Sequence, residues 1–269
     1  MIDFLLVVPA FEESRRLPVF LEALARELEA ETFLARILVV DDGSRKSECE
    51  QVAGAVETLA KAHPVILPPL LLPVNQGKGG AIMAGWASET PARWLCFADA
   101  DGATPAREIA RVLRSVAEDS RERDCFFASR IKLLGRAVQR KMSRHLLGRV
   151  YATLVGTLIH SGVYDSQCGF KIVSAEAYRA VRGVITEKRF AFDVELLAAL
   201  VDAEMSIEEV PIDWKDIPGS KVSFLGDTVR MFVSLLRIRA KRRHWQASEG
   251  PLERLSLNVR KGRHSLAET

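Results

Sequence analysis

The chain has 269 residues, of which 48% are hydrophobic and 27% charged, and its formal net charge is +3. That hydrophobic fraction is enough for a substantial core and excludes a disordered chain, and the length suits one large domain or a domain with an extension. So small a net charge argues neither for nor against a nucleic-acid ligand, and no run of about 18 uncharged apolar residues predicts a membrane-spanning helix.

The first half of the chain alternates short apolar strands with helices. Helical spacing of apolar side chains predicts helices over residues 17–30, 49–62, 80–87 and 109–118. Short apolar runs predict strands over residues 4–8, 37–40, 94–98 and 125–128, with a further short strand inside 64–73. This alternation predicts an α/β fold with a mostly parallel central sheet that is flanked by helices on both faces.

The second half has longer helical patterns. One pattern, over residues 138–160, is basic in its first half and apolar in its second. After it we expect a loop and strand over 165–173, a helix over 192–203, a strand over 207–212 and an amphipathic helix over 224–239. The chain is thus expected to comprise one domain over 1–223, an amphipathic helix over 224–245 and a poorly ordered polar tail over 246–269.

Cysteine usage and the first residues both indicate a reducing compartment. None of the four cysteines forms a Cys-x-x-Cys pair, and two of them, Cys96 and Cys125, fall in predicted core strands. We therefore expect buried free thiols and neither disulfides nor a zinc site. The chain opens directly into an apolar strand, without the basic segment and cleavage pattern of a signal peptide, and a cytoplasmic location is expected.

Two carboxylates, Asp99 and Asp101, directly follow a predicted apolar strand. Two acids separated by one small residue can turn towards one cation where a strand gives way to a loop. Mg²⁺ and Mn²⁺ prefer oxygen ligands and are commonly held by one or two carboxylates together with substrate phosphates. The pair suggests a metal-diphosphate site, and a solvated acidic loop is the alternative interpretation of the motif taken alone.

Three polar motifs each follow a predicted strand, over residues 9–13, 41–44 and 99–104. In open, mostly parallel sheets, ligands bind at the carboxyl ends of the strands. We therefore expect the three motifs to share one rim of the sheet. This convergence is a stronger argument for a site than any one of the motifs.

A glycine-rich stretch over residues 77–80 opens the third predicted helix. Backbone N–H groups at a helix start, together with Lys78, can bind phosphates, and ordinary helix-start chemistry is the alternative. The stretch is not a Walker A loop, and no Gly-x-Gly-x-x-Gly follows the first strand. A dinucleotide-dependent dehydrogenase is therefore disfavoured.

In their order and spacing, these motifs resemble the inverting GT-A glycosyltransferases of family 2. The matching segments are Val-Pro-Ala-Phe-Glu-Glu (8–13), Val-Val-Asp-Asp-Gly-Ser (39–44), Asn-Gln-Gly-Lys-Gly-Gly-Ala (75–81), Phe-Ala-Asp-Ala-Asp-Gly-Ala-Thr (97–104), Asp-Ser-Gln-Cys-Gly-Phe-Lys (165–171), Ala-Phe-Asp-Val-Glu-Leu-Leu (191–197) and Gly-Ser-Lys (219–221). The resemblance is closest to the dolichyl-phosphate β-glucosyltransferases, which move glucose from UDP-glucose to a polyprenyl phosphate. Related mannosyltransferases usually carry Gln where this chain has Ala103, which favours the glucosyl branch.

The resemblance implies a GT-A fold and a donor site on the rim. The residues that it implies for binding UDP-glucose are Pro9, Phe11, Glu13, Asp41, Asp42, Lys78 and Asp99. Carboxylates accept hydrogen bonds from the uracil N–H and the ribose hydroxyls, and an aromatic ring can cover the base; for Phe11, core packing is the alternative. Asp99 and Asp101 are implied as ligands of Mg²⁺ or Mn²⁺, which stabilises the charge on the departing UDP.

A polyprenyl phosphate acceptor needs no protein base to activate it. A phosphate monoester has a second pKa of about 6, so it is largely dianionic at neutral pH and already a nucleophile. Positioning can then supply much of the catalysis. Asp193 and Glu195 fall where family members with hydroxyl acceptors place a base. We expect Asp193 to contact a sugar hydroxyl or the acceptor, as a third catalytic residue beside Asp99 and Asp101, and Glu195 to be structural.

An anionic acceptor requires cations, and residues 130–149 contain seven basic residues and no acid. The positions that match the acceptor-phosphate stretch of polyprenyl-phosphate glycosyltransferases are Arg130, Arg140, Ser143 and Arg144. Arg140 and Arg144 share a face if the stretch is helical and can then bind one phosphate, with a solvated basic face as the alternative. The resemblance also implies that Gln167, Gly169 and Lys171 shape the acceptor side.

The last predicted helix has one apolar side that runs into a basic cluster over residues 237–243. This side consists of Leu225, Val229, Phe232, Val233 and Leu236. An apolar face flanked by cations suits a helix that lies on an anionic lipid surface, and an ordinary core-packing helix is the alternative. We expect peripheral attachment to the cytoplasmic face of a membrane, without a membrane span.

Several other functions are compatible with parts of the sequence. The nearest alternative keeps the fold and changes the donor, for example to GDP-mannose or UDP-galactose, or uses a non-lipid acceptor. A regulator that only binds sugar nucleotides would need a broken metal site, whereas both Asp99 and Asp101 are present. A nucleic-acid-binding protein would use the basic stretch 130–149, but few aromatic residues are interleaved with it and the expected pocket is acidic. The expected partners are a nucleotide sugar, a polyprenyl phosphate and an anionic membrane surface, and no nucleic acid.

Overall fold

The computed structural model describes residues 1–88, 90–131, 137–139, 153–159, 162–217 and 224–245. The strands are β1 (Ile2–Ala10), β2 (Ala35–Asp41), β3 (Leu70–Leu71), β4 (Ala92–Ala98), β5 (Cys125–Ser129), β6 (Val138–Gln139), β7 (Phe170–Ser174), β8 (Ile207–Pro211) and β9 (Trp214–Lys215). The helices are α1 (Leu17–Glu29), α2 (Lys46–Ala62), α3 (Lys78–Trp86), α4 (Ala106–Ala117), α5 (Ala175–Val181), α6 (Phe192–Asp202) and α7 (Phe224–Trp245). Residues 153–159 are also helical.

The main sheet of the described residues has seven strands in the order β3-β2-β1-β4-β7-β5-β8. β1 is parallel to β2 and β4, β2 is parallel to β3, and β5 is parallel to β8. β7 is antiparallel to both of its neighbours, β4 and β5. The prediction of a mostly parallel α/β sheet is confirmed, and β7 is the exception to its direction.

Helices pack on both faces of this sheet. Because successive side chains of a strand point to opposite faces, β1 contributes Leu5 and Val7 to one apolar cluster and Phe4, Leu6 and Val8 to the other. The first cluster includes side chains of α3, α5, α6 and α7, and the second includes those of α1, α2 and α4. Burial on both faces explains why the central strands are nearly continuous apolar runs.

The prediction of a helix over residues 138–160 is wrong at its start. Residues Val138–Gln139 form β6, which pairs with β9, and the N–H of Trp214 donates to the carbonyl of Ala137 at 3.0 Å. Pairing with a distant strand overrides a local helical pattern. Residues 153–159 are helical as predicted, whereas 140–152 and 160–161 lie outside the described residues. The short elements α5 and β9 were not predicted.

The last helix, α7, extends beyond the helical pattern at 224–239 and ends at Trp245, and one of its sides packs on the core. From its last turn, Arg242 donates to Asp202 at 2.9 Å through Nε and to two backbone carbonyls of the helical stretch 153–159 through Nη1. Over residues 230–245, where the side chains are described, the buried apolar residues of α7 are Leu235, Ile238 and Trp245. Among the helices of the described ranges, none is both long and apolar enough to cross a membrane. The tail predicted over 246–269 lies outside the described residues.

All four cysteines are unpaired thiols, as the sequence predicts. Cys96, Cys125 and Cys168 are buried, and Cys49 is half-buried. Burial raises the pKa of Cys96 and Cys125 well above the ordinary thiol value, and it raises the pKa of Cys168 to about 12. Thiols held in the neutral form are unreactive, so these three act as packing residues.

Helix α3 lies unusually close to the sheet because it contains Gly85. A Cβ atom at this position would come within 2.6 Å of a methyl group of Val7 and 3.1 Å of a methyl group of Val40. Real Cβ atoms do not approach other atoms this closely, so the neighbouring strands would have to shift. The glycine therefore sets the distance between α3 and strands β1 and β2, and with it the position of the helix start.

We expect Gly85→Ala to lower the free energy of unfolding by about 1–3 kcal/mol, because the added methyl group overpacks a core without free space. The matched control is Gly54→Ala in α2, where a Cβ would meet no atom within 4 Å. There the better helix propensity of alanine should raise the free energy of unfolding by about 0.5–1 kcal/mol. Urea denaturation of both variants checks the opposite signs, and a stabilising Gly85→Ala would contradict this packing argument.

Candidate active site

The three motifs that follow strands do meet at one rim of the sheet. β1, β2 and β4 are adjacent and parallel, so their carboxyl ends lie side by side. The loops that leave these strands carry residues 11–13, 42–44 and 99–104 respectively. The shared rim predicted from the sequence is therefore confirmed, and it brings the candidate residues into one region.

The loops after β1 and β2 are tied together through Glu12 and Ser44. The N–H of Glu12 donates to Ser44 Oγ at 2.8 Å, and Ser44 in turn donates from its N–H and Oγ to the two carboxylate oxygens of Asp41 at 2.9 and 2.7 Å. Glu12 has a φ of 58°, in the left-handed region that few non-glycine residues adopt, and Arg45 donates to its carboxylate at 2.8 Å. Buried Asp41 thus organises the loop itself.

Asp42 joins the loop after β2 to the stretch that precedes α3. Its carboxylate accepts hydrogen bonds from the N–H groups of Gln76 and Gly77 at 2.7 and 2.8 Å, and from Asn75 Nδ2 at 3.0 Å. Burial raises the pKa of Asp42 despite these hydrogen bonds, which favour the charged form. The contacts that the structure shows for Asp42 therefore fix the glycine-rich stretch in front of Lys78.

The remaining donor candidates on the first loop differ in exposure. Phe11 is exposed, which disagrees with core packing, and Pro9 is half-buried in register with Val40. Glu13 accepts a hydrogen bond from Arg16 Nε at 2.7 Å. Arg16 is not among the residues predicted from the sequence, although a spacing of three residues between Glu13 and Arg16 favours an ion pair on a helix.

The glycine-rich stretch starts α3, as predicted, but part of the helix start is covered. Gly77 has a φ of 92°, and a Cβ there would lie 2.6 Å from the carbonyl oxygen of Lys188. The same carbonyl accepts the N–H of Gly80 at 2.9 Å, and a Cβ on Gly79 would meet Phe192 at 2.4 Å. The glycines therefore permit close approach of the segment 188–192, and the N–H of Gly80 is already satisfied.

Lys78, the first residue of α3, lies between two carboxylates. Its Nζ is 2.9 Å from Asp99 Oδ1 and 3.3 Å from Asp193 Oδ2, and it also lies over the ring of Phe97. Burial alone would lower the pKa of Lys78, but the Asp193 and Asp99 carboxylates outweigh that effect and raise the pKa above its ordinary value. Lys78 therefore stays positively charged at the rim.

Asp99 and Asp101 lie where β4 ends. The N–H of Asp99 donates to the carbonyl of Gly169 at 2.9 Å, and a Cβ at position 169 would coincide with Asp99 Oδ2, only 1.9 Å away. Gly169 is thus required for the present position of the Asp99 carboxylate. Asp101 Oδ1 accepts the N–H of Ala103 at 2.9 Å, and burial and the nearby Asp99 raise the pKa of Asp101.

This pair fits a hard divalent cation. Both residues offer carboxylate oxygens, and the side chain of Asp99 is 42% exposed. Burial, followed by repulsion from Asp99, raises the pKa of Asp101, and a cation would offset both effects. Within the described part of the chain, no cluster of three or more His, Cys, Asp or Glu side chains is suited to hold a metal. A cation held by Asp99 and Asp101 would therefore need oxygens from water or from a ligand.

Asp193, in the first turn of α6, is buried between two lysines. Its Oδ1 accepts from Lys171 Nζ at 2.7 Å, and its Oδ2 faces Lys78. Burial alone would raise the pKa of Asp193, but Lys171 and Lys78 hold it below the ordinary value. Lys171 is fully buried, donates also to the carbonyl of Cys168 at 2.7 Å, and lies between the rings of Phe97 and Phe127.

Arg130, expected at the acceptor phosphate, is paired with Asp165. Its Nε and Nη2 donate to the two carboxylate oxygens at 2.7 and 2.8 Å, and its guanidinium stacks over Trp214 at 5.4 Å. Burial would raise the pKa of Asp165, but Arg130 lowers it to about 2. The other expected phosphate ligands, Arg140, Ser143 and Arg144, lie outside the described residues.

Gln167 and Glu195 complete the predicted set. Gln167 is half-buried in the loop that leads to β7. Glu195 is fully buried and accepts the N–H groups of Thr186 and Glu187 at 2.7 and 2.5 Å, and Lys241 at 2.9 Å. These contacts support the structural role expected for Glu195, because they join α6 to the preceding loop and to α7.

Comparison with known proteins identifies the family. The model described as Glycosyl transferase family 2 matches residues 5–181. Curated relatives include the dolichyl-phosphate beta-glucosyltransferases of Homo sapiens, 34% identical over 244 residues (87% of this chain and 74% of the relative), and of Dictyostelium discoideum, 30% identical over 241 residues (87% and 72%).

Solved structures share the fold at low sequence identity. Mannosyl-3-phosphoglycerate synthase from Rubrobacter xylanophilus matches with a TM-score of 0.66 and 15% identity over 92% of this chain and 77% of the other. Glucosyl-3-phosphoglycerate synthase from Mycobacterium tuberculosis, solved with Mn²⁺, UDP and phosphoglyceric acid, matches with a TM-score of 0.65 and 14% identity over 88% and 78%. The fold is that of the GT-A glycosyltransferases. Since the family match covers more than half of the sequence, this chain belongs to glycosyl transferase family 2 and is a glycosyltransferase.

Proposed function

We propose that this enzyme transfers glucose from UDP-glucose to a polyprenyl phosphate of the dolichyl type, with inversion at the anomeric carbon and with a divalent cation. The observation that carries the proposal is the contact between Asp99 and Lys78 at the rim. It places a carboxylate that can bind a metal beside an ammonium group that can bind a diphosphate. The relatives named dolichyl-phosphate beta-glucosyltransferase, which align over most of the chain, support the choice of sugar and acceptor.

In the proposed reaction, an oxygen of the acceptor phosphate forms a bond to the anomeric carbon of glucose. The bond from that carbon to UDP breaks on the opposite face, and UDP leaves with the electron pair, so the configuration inverts. Charge therefore builds up on the diphosphate as the bond breaks. Lys78 is the described cation best placed to stabilise this charge, because it projects from the start of α3 at the rim.

Asp99 and Asp101 are the residues that would hold Mg²⁺ or Mn²⁺, with the remaining ligands supplied by diphosphate oxygens and water. When bound, the cation would neutralise negative charge on the departing UDP. The structural neighbour solved with Mn²⁺ and UDP has the same fold and is compatible with this assignment. Gly169 supports the site because only a residue without a side chain leaves room for the Asp99 carboxylate.

The nucleoside is proposed to lie over the loops after β1 and β2. Phe11 offers an exposed ring that can cover uracil, and Pro9 and Glu13 shape the same loop. Asp41 and Asp42 act there mainly through the loop geometry that their hydrogen bonds maintain. This arrangement assigns the direct base contact to Phe11 and the preorganisation of the site to the two buried carboxylates.

On the acceptor side, the Arg130–Asp165 pair is proposed to hold the loop that carries Gln167 and Gly169. Direct contacts with the acceptor phosphate are proposed for Arg140, Ser143 and Arg144 of the basic stretch. Lys171 is too deeply buried to reach an acceptor, and we propose that it acts through Asp193. Acceptor binding would thus depend on cations that the Asp165 carboxylate does not neutralise.

A lipid acceptor also favours attachment to a membrane surface. Phe232, Val233 and Leu236 of α7 are 43%, 40% and 47% exposed, on the side of the helix that does not pack on the core. A groove of about 290 Å³ between α7 and residues 187–191 adds Phe190 and three arginines to this surface. Exposed apolar side chains flanked by cations suit peripheral binding to anionic lipid.

The proposal is tested by offering purified protein UDP-glucose, GDP-mannose or UDP-galactose, each with Mn²⁺ or Mg²⁺ and with or without dolichyl phosphate. With the sugar of each donor radiolabelled, we expect radioactivity to enter the lipid phase from UDP-glucose alone. Lipid labelling from another donor would correct the sugar, whereas metal-dependent hydrolysis of UDP-glucose without lipid labelling would redirect the search to a different acceptor.

For Asp99→Asn we expect turnover with UDP-glucose to fall by about a hundredfold or more, because the variant loses a charged ligand for the cation. Melting temperature should change little, since the Asp99 side chain is partly exposed. The matched control is Glu57→Gln, which neutralises an exposed carboxylate on α2. Turnover close to that of the wild type in Asp99→Asn would overturn the metal assignment.

For Asp193→Asn we expect a lower kcat without a shift of the acidic limb of the pH–rate profile. The pKa of Asp193 lies below its ordinary value, so the carboxylate is already ionised well below neutral pH and cannot produce a limb near pH ~6, where the acceptor phosphate titrates. A limb that disappears in the variant would show instead that Asp193 acts as a base.

For Leu236→Asp we expect weaker co-sedimentation with vesicles of phosphatidylserine and phosphatidylcholine, because a charge on the apolar side opposes insertion. Leu34→Asp is the matched control, since Leu34 is also exposed (56%, against 47% for Leu236) but directly precedes β2 and is not part of α7. Equal binding of both variants and the wild type would contradict the proposed surface on α7.

A further inference from the structure

Four charged side chains form an alternating row from the core to the rim. Lys171 contacts Asp193 at 2.7 Å, Asp193 faces Lys78 at 3.3 Å, and Lys78 contacts Asp99 at 2.9 Å. The row contains two positive and two negative charges, so it is electrically balanced as it stands. A balanced buried row is stable only while each charge keeps its partner.

The members of the row differ in how firmly they are held. Lys171 is fully buried, bonded to the carbonyl of Cys168 and enclosed by two aromatic rings, and Asp193 is buried with an oxygen on each lysine. Asp99 is the most exposed member, with a side chain that is 42% accessible. Exchange of partners is therefore easiest at the Lys78–Asp99 contact.

The Lys78–Asp99 contact occupies one of the two oxygens that Asp99 could offer to a cation. Asp99 Oδ1 accepts from Lys78, and Oδ2 is packed against Gly169. A divalent cation on Asp99 would be close to the ammonium group, and two like charges at such a distance repel. Lys78 and a cation consequently compete for the same carboxylate.

We propose that Lys78 is an exchangeable counter-ion of Asp99. Before the donor binds, it pairs with Asp99 and weakens the binding of a divalent cation; when the donor arrives, it turns to the diphosphate and releases Asp99 to the cation. Asp193, which Lys171 positions, tethers Lys78 during the exchange. This inference rests on the proposed metal role of Asp99 and adds an order to it, because cation and donor then strengthen each other's binding.

The test measures Mn²⁺ affinity by the electron paramagnetic resonance signal of free Mn²⁺, with and without UDP, so that it does not depend on turnover. Without UDP, Lys78→Met should bind Mn²⁺ on the order of tenfold more tightly than the wild type, since the competing cation is gone. With UDP, this advantage should vanish or reverse, because the diphosphate loses its lysine. A purely structural lysine would give the opposite result, since its loss would weaken Mn²⁺ binding under both conditions.

Two variants control for charge. Lys188→Met removes one positive charge from an exposed side chain of the neighbouring loop and should leave Mn²⁺ affinity unchanged, whereas Lys78→Arg keeps the charge and should keep Mn²⁺ binding weak. Circular dichroism shows whether each variant is folded. If Lys78→Met does not fold, Lys78→Gln is used in its place.

Three results would count against the exchange. Unchanged or weaker Mn²⁺ binding without UDP in a folded Lys78→Met or Lys78→Gln variant overturns it, and so does equal tightening in Lys188→Met. If the wild type binds no Mn²⁺ even with UDP, the proposed metal role of Asp99 fails first, and the inference fails with it.

Discussion

The site depends on one constraint, which is that charges removed from water must be paired. Lys171 is fully buried between Phe97 and Phe127, where an unpaired ammonium group would be very costly. Burying its partner Asp193 without a counter-ion would also be costly. The pairing of charges therefore continues from Asp193 to Lys78, and from Lys78 to the partly exposed Asp99. The pairing of the rim carboxylate with Lys78 thus belongs to a series of ion pairs that begins at the fully buried Lys171.

Close backbone approach is the second requirement of the site. The carboxylate of Asp99 fits only because position 169 is glycine, and the segment 188–192 reaches the start of α3 only because Gly77 and Gly79 have no side chains there. Gly85 brings the same helix onto the sheet. The glycines therefore determine the positions of Lys78 and Asp99. The charged residues determine how strongly Lys78 and Asp99 interact.

Much of this arrangement can be read from the chain. The strands β1, β2 and β4 are apolar runs that end in polar motifs, and since parallel strands align their carboxyl ends, the shared rim follows from the order of elements. The helical pattern from residue 138 gave a wrong prediction at its start, because β6 is defined by its pairing with β9, 76 residues away along the chain. Hydrogen-bond partners were less predictable than the positions of the residues. Asp41 accepts hydrogen bonds within its own loop, Asp42 accepts them from the stretch before α3, and Arg130 is paired with Asp165.

The sequence by itself determined the fold class, the membership of glycosyl transferase family 2 and the set of candidate side chains, because hydrophobic periodicity and motif order are local properties of the chain. Only the tertiary structure decided which charges meet. Lys171 and Asp193 are 22 positions apart, and Lys78 and Asp193 are 115 apart, so no spacing rule links them. Their contact arises where α3, which packs on β1 and β2, meets α6, and where Asp193 of α6 meets Lys171 of β7; burial there forces each charge to find its counterpart.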